Sequence, residues 1–274
     1  MIARLYVILP YHLIVSEGGE FKLYSYDDEG YGVIVYPPEK TDKPVPGFVP
    51  EVIQIDNAPA FVANGLRIEF HKRSFDRTAG KAVDPPIAII QRAADSFLTR
   101  LRYVTRAAHM QPLSWPKVSW RLRYLNDDES ELPEEKGLVR GHGRLGFSLA
   151  FAAVSPEVWD YVHSLPPSFE PPAWDGLRLD ANNTIRHVGT AVVLAATCLE
   201  VFITHVLDSI AVKGAVPESL WRWINRRGDW LREPSTEEQF DTLLTILAGH
   251  SLKEDLKLWE AFKNLKDGPK HVCA

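Results

Sequence analysis

The stretch VGTAVVLAATCLEVFITHVLDSIAV, residues 188–212, decides how the chain is organised. It is apolar for long enough to cross a bilayer, yet Glu200 stands near its centre and no basic cluster flanks it. An acid at that depth costs roughly 2.5–3.5 kcal/mol on insertion scales. A buried helix of a soluble domain is therefore expected, with no membrane partner. Val188, Val192, Ala195, Leu199, Phe202, Val206 and Ile210 recur at helical spacing, and Ala191, Leu194, Cys198 and Val201 widen the stripe. The pattern predicts a helix from about Asn182 to Val212 that ends at Gly214. Covered on most sides, it would be the spine of a small bundle.

Downstream the chain stays helical. STEEQFDTLLTILAG carries a capping box, Ser235 to Glu238, and a glycine stop at Gly249. SLKEDLKLWEAFKNLKDGP carries a second box, Ser251 to Glu254, and is expected to stop at Gly268-Pro269. Its apolar stripe is Leu252, Leu256, Trp259, Phe262 and Leu265.

Upstream the period changes. ARLYVILPYHLIV, FKLYSYDD, YGVIVYPP, EVIQIDN and GLRIEFHKRS are strand-like, with DDEG as a turn and Pro37 to Pro50 as a loop. A helix is predicted from Pro85-Pro86 to about His109. Its inner face is Ile90, Ala93, Phe97, Leu101 and Val104, with Arg92, Arg100, Arg102 and Arg106 largely off it. SWRLRYLND and GRLGFSLAFAAV predict further strands. SPEVWDYVHSL predicts a short helix with Ser155 as cap and Pro156 at its first position. LPPSFEPPAWDG then marks a composition shift. The fold class is α+β: a mixed domain rich in antiparallel strands over 1–168, a proline-rich linker over 169–176, and a helical bundle over 177–274.

With 45% hydrophobic and 24% charged residues, a sizeable core can form. A net charge of −5 gives no global attraction for nucleic acid, so such contact would be local. Two cysteines, Cys198 and Cys273, exclude a disulfide framework and a thiolate zinc cluster, and fit a reducing, cytoplasmic setting. No Walker A, GxSxG, HExxH or CxxC motif occurs, and the histidines are scattered. No cofactor or metal is expected. RGHGRLGF has three glycines but precedes a strand, so it suits a bulge or hairpin better than a phosphate loop.

Two features carry functional chemistry. LWRWINRRGDWLRE interleaves Trp221, Trp223 and Trp230 with Arg222, Arg226, Arg227 and Arg232. Aromatic rings stack bases and arginines meet phosphates, so Arg222, Arg226, Arg227 and Trp223 are candidate nucleic-acid contacts. The same pattern also fits an amphipathic helix with its tryptophans in the core. The second feature is Glu200. It lies either on a narrow exposed face or buried, and if buried it needs a cationic partner such as Lys266, Lys270 or His271.

The long helix AVVLAATCLEVFITHVLD, together with LWEAFKNLKDGPKHV, resembles the HEPN superfamily over about residues 176–274. Members often carry arginine, four residues, then histidine near their last helix. The matching positions here are Lys266 and His271. The resemblance implies metal-independent RNA cleavage, in a defence or toxin setting. His271 would act as acid or base, Lys266 would stabilise phosphorane charge, and Glu200 would support the pair. It also implies a homodimer through the bundle and RNA as partner. Lysine lacks arginine's bidentate fork. Gly268-Pro269 interrupts the segment, and only Val272, Cys273 and Ala274 follow His271, which reads as a truncated final helix. The expectation is therefore a binding or dimerisation module with a degraded site. An active endoribonuclease and a purely structural interaction protein are the alternatives.

Overall fold

The computed structural model describes residues 1–40, 53–55, 58–76, 83–133, 138–141, 151–226 and 233–272, with backbone only for residue 53 and residues 266–272. The architecture is α+β, and the chain forms two compact units, Met1–Pro171 and Pro172–Ala274.

The first unit is an eight-stranded sheet: β1 (Ile2–Ser16), β2 (Tyr24–Asp28), β3 (Tyr31–Tyr36), β4 (Ile53–Ile55), β5 (Ala58–His71), β6 (Trp120–Leu125), β7 (Leu138–Gly141) and β8 (Phe151–Val154). Its main order is β2-β3-β5-β1-β6-β7, with β4 on β5 and β8 on β1. All pairings are antiparallel except β1 with β8. In β1 every odd position from Ala3 to Val15 is buried, the period-2 pattern of a strand with one face on a core. The β1–β5 register shifts between Ile8 and Leu13. Pro10 lies inside that irregularity, where a residue without an N–H is tolerated.

Helices α1 (Ile87–Thr105) and α2 (Pro156–Ser164) cover the apolar side. Ile90, Ala93, Phe97 and Leu101 are buried as the spacing predicts. Ser155 caps α2 by accepting from Val158 N, and Pro156 sits at its first position. Arg100 departs from expectation, because it is fully buried. Its guanidinium Nη1 donates to the carbonyls of Val162 (3.3 Å) and Leu165 (3.0 Å), which close the C-terminal end of α2. A helix packed by both a sheet and a second helix buries more than one stripe, and the spare donors of arginine meet the carbonyls left open there.

The second unit contains α3 (Ala173–Asn183), α4 (Val188–Lys213), α5 (Glu218–Arg226), α6 over residues 236–248 and α7 (Leu256–Val272). Ala173 to Gly176, expected in the linker, open α3. The long helix begins at Val188, after a turn, and not near Asn182. Helix α6 contains a π-helical stretch, Gln239–Leu243, between two α-helical ends. Both capping boxes form, although the second opens a 3-10 turn, Leu252–Glu254, ahead of α7. Gly249 adopts a left-handed φ of 76° and ends α6. Gly268-Pro269 does not end α7, which runs on to Val272. One missing donor within a turn of the helix end removes a single hydrogen bond, which is less than an interior proline costs.

The core of this unit is Ile203, Leu207, Phe240, Trp259 and Phe262, with Leu199, Trp221 and Leu252 packed around it. Leu256, expected in the stripe of α7, is exposed. The expectation that α4 is covered on most sides is overturned. Only Ile203, Leu207 and Ala211 of its residues are buried, while Val188 (66% exposed), Val193 (43%) and Phe202 (40%) face outward. α4 is also the one helix among the described residues long and apolar enough to cross a membrane. The reason is supply: among the described residues α6 and α7 pack around Ile203 and Leu207, and α3 also lies against the helix, which leaves much of its apolar surface uncovered.

Two truncations on α4 should therefore separate sharply. Ile203→Ala should cost about 2–5 kcal/mol, as large-to-small changes in cores do. Val193→Ala should stay within about 0.5 kcal/mol. Urea unfolding of both variants checks this, and equal losses would mean that the N-terminal half of α4 is core.

Candidate nucleic-acid interface

Helix α5 carries most of the basic and aromatic candidates. The sequence allowed two arrangements, and the helix combines them. Trp221 turns inward onto the core, and its Nε1 donates to Asp208 Oδ1 at 2.7 Å. Trp223 turns outward and is 61% exposed. Arg222 is exposed and pairs with Glu218 one turn earlier at 2.5 Å. Arg226 is exposed at the helix end. No residue of α5 is buried. Arg227, Trp230 and Arg232 lie outside the described residues.

Glu200 is exposed and needs no cationic partner. It accepts a hydrogen bond from Thr236 Oγ1 at 3.2 Å, linking α4 to the start of α6. The buried alternative is thereby removed. Lys266 and His271 both belong to α7, but their side chains lie outside the described residues. Five residues along an α-helix turn through about 140° and rise about 7.5 Å. Their Cα atoms therefore stand on different sides of the helix.

A dense polar cluster lies in the first unit, and no sequence motif announces it. Glu69 in β5 is 1% exposed. Its carboxylate accepts from Arg4 Nε at 2.6 Å, Arg67 Nη2 at 2.9 Å and Tyr36 OH at 2.9 Å, with His71 Nε2 at 3.3 Å. Burial alone would raise this carboxyl. The donors from Arg4, Arg67 and Tyr36 outweigh it and hold the group below its ordinary range. Arg4 and Arg67 also reach Glu129 and Glu39. A signal did exist in the sequence: Arg4 and Glu69 both fall on the polar face of alternating strands. Their pairing depends on register, which a sequence alone does not give.

A second cluster is buried beside α1. The ring of His163 stacks on Tyr24 at 4.6 Å and lies 4.5 Å from Trp159. Burial, then the nearby charge of Arg100, pushes His163 down to about 4, with Asp160 opposing. Tyr26 is pushed up to about 12, mainly by burial. Among the described residues no group of three histidine, cysteine or acidic side chains could hold a metal ion. Cys198 is a half-buried free thiol, pushed up by burial and bonded to the carbonyl of Trp174. No protein-family model, curated protein or solved structure matches the chain.

These shifts set the acid side of the stability curve. Folded His163 stays neutral to about 4, whereas the unfolded ring titrates near 6.5. The unfolded state thus binds more protons between those values, and stability must fall as pH drops through that window. The contribution of Glu69 is present above its unfolded value of 4.5 and is lost as pH falls through its lower folded value. The urea midpoint should therefore decline from about pH 6.5 downward. His163→Phe keeps the stacking and should flatten the upper limb, while Glu69→Gln should flatten only the lower one. A midpoint unchanged across the His163 window would contradict a buried neutral ring.

Proposed function

We propose that the protein binds RNA, and that its C-terminal unit is a HEPN-like helical module that binds or dimerises without cleaving. The observation that carries this reading is Trp223, a large ring held in solvent on a helix that also exposes Arg222 and Arg226. Leaving an indole in water forgoes burial that would stabilise the fold by about 1.5–3 kcal/mol for a large apolar side chain. A base stacked on the ring recovers such contact, and the flanking guanidiniums suit phosphates. The outward apolar residues of α4, Val188, Val193 and Phe202 among them, support a homodimer through this unit.

Catalysis is the second reading, and one observation favours it. Since α7 continues through Pro269, Lys266 and His271 share a single helix. His271 would exchange a proton with the 2′-hydroxyl or the leaving oxygen, and Lys266 would neutralise charge on the phosphorane. Against it stands the missing guanidinium fork.

The two readings part on one pair of measurements. Binding of a labelled RNA pool should weaken about tenfold or more in Trp223→Ala/Arg226→Glu, with a smaller salt slope. The parent and His271→Ala should leave the pool intact in EDTA. Cleavage by the parent that His271→Ala abolishes would establish the catalytic reading. Binding that is indifferent to Trp223 and Arg226 would sink the proposed interface.

A further inference from the structure

The ends of β1 and β3 border a cavity of about 560 Å³ in the first unit. That size falls within the range of small-molecule sites. Its wall is mostly apolar: Val15, Phe21, Pro37, Pro38 and Phe61. Tyr36 completes it. The Tyr36 hydroxyl donates to Glu69 at 2.9 Å, and Arg67 Cζ stands 3.8 Å from the centroid of its ring. Those contacts engage the hydroxyl and one ring face, so the ring is a fixed wall.

The backbone around the cavity is set by the fold. Glu17 N donates to Pro59 O at 2.7 Å, which ties the end of β1 to the start of β5. Gly18 N donates to Ser16 Oγ at 3.3 Å, closing a turn. Gly19 continues that turn with a φ of 92°, where a Cβ would stand 2.6 Å from Pro156 Cγ. Across the cavity, the rings of Pro37 and Pro38 fix their own φ. Walls held in this way bind a ligand without a large ordering cost.

The charges at the cavity select the ligand. Glu17, Glu39 and Lys40 line it. Glu39 is already paired with Arg67 Nη1 at 2.9 Å. Among the described residues no ion pair or hydrogen bond engages the side chain of Glu17 or Lys40. The sheet order places β5 between β3 and β1. Lys40 follows β3, Glu17 follows β1 and Phe61 stands on β5, so the two charges come to the cavity from elements on either side of an aromatic ring. One acid and one base thus remain for a ligand. A plain anion would meet Glu17 as a like charge, and a plain cation would meet Lys40. A molecule that carries both charges on an apolar body complements each.

We infer that this cavity binds a small zwitterion with a bulky apolar body, the class of the aliphatic and aromatic α-amino acids. Glu17 meets the ammonium, Lys40 meets the carboxylate, and Phe21 and Phe61 take the side chain. The site belongs to the first unit and does not rest on the RNA reading of the second.

The test titrates the full chain by calorimetry near neutral pH with L-phenylalanine and L-leucine. Phenethylamine, which lacks the carboxylate, and hydrocinnamate, which lacks the ammonium, are run beside them. The zwitterions should bind more tightly than either single-charge analogue. Glu17→Gln should weaken L-phenylalanine and phenethylamine about threefold, as expected for one exposed ion pair, and leave hydrocinnamate unchanged. Lys40→Met should do the reverse, weakening L-phenylalanine and hydrocinnamate and sparing phenethylamine. Both residues are exposed, so the urea midpoints should stay at the parent value. If neither amino acid binds at millimolar concentration, the inference is wrong. Equal affinity for zwitterion and analogues overturns it too, because the cavity would then be only an apolar recess. So does unchanged L-phenylalanine binding in both charge variants.

Discussion

Strand β1 has to be paired along both edges, and the first unit depends on how that is met. Its N-terminal half lies between β5 and β6, and its C-terminal half between β5 and β8. Paired on both edges over Ile2–Val7 and again over Leu13–Val15, the strand fixes the register of its neighbours. Burying its odd residues, at roughly 25 cal/mol per Å² of apolar area, fixes which face is core. A slip of one residue would bring Arg4 and Tyr6 into the core and put Leu5 and Val7 in water. That penalty holds the register in place. It therefore also places Arg4 beside Glu69, and Tyr6 between Arg67 and Arg121.

Much of the architecture was legible because it is written locally. Alternation along β1, the cap at Ser155, both serine capping boxes and the left-handed stop at Gly249 each depend on residues within a few positions. Three features were not legible, each for a physical reason. Arg100 looked like a surface residue because periodicity describes one packed side of a helix, whereas α1 is packed on two. Gly268-Pro269 looked like a stop because propensity penalises both residues, yet near a helix end few hydrogen bonds remain to be lost. The Glu69 cluster draws on three strands far apart in sequence, so it exists only once the register is set. Of the candidate site, the tryptophan–arginine segment was visible but its split orientation was not: Trp221 and Trp223 differ by two positions, about 200° around a helix.

Helix α4 shows the limit of composition most plainly. Hydropathy told where the helix lies and that its residues prefer not to meet water. It could not tell how much other chain would be there to cover them. A window of this helix that passes for a membrane span is only 17% buried. Yet Glu200, near its middle, takes an ordinary hydrogen bond from Thr236. An apolar surface interrupted by a solvated carboxylate suits contact with another protein surface, where a rim acid can stay wet, better than hydrocarbon, where it cannot.

The chain as a whole is acidic, and at physiological salt its distant charges are screened beyond about 8 Å. Local groupings of charge therefore matter more than the sum. Glu69 is the centre of one such grouping, paired with Arg4 and Arg67. By accepting from Arg4 and Arg67 it holds two long side chains in place, and the fold bears their ordering entropy. A buried acid thus lowers the local positive field and orders the arginines around it. Removing its carboxylate would leave two half-buried guanidiniums without the acceptor that holds them.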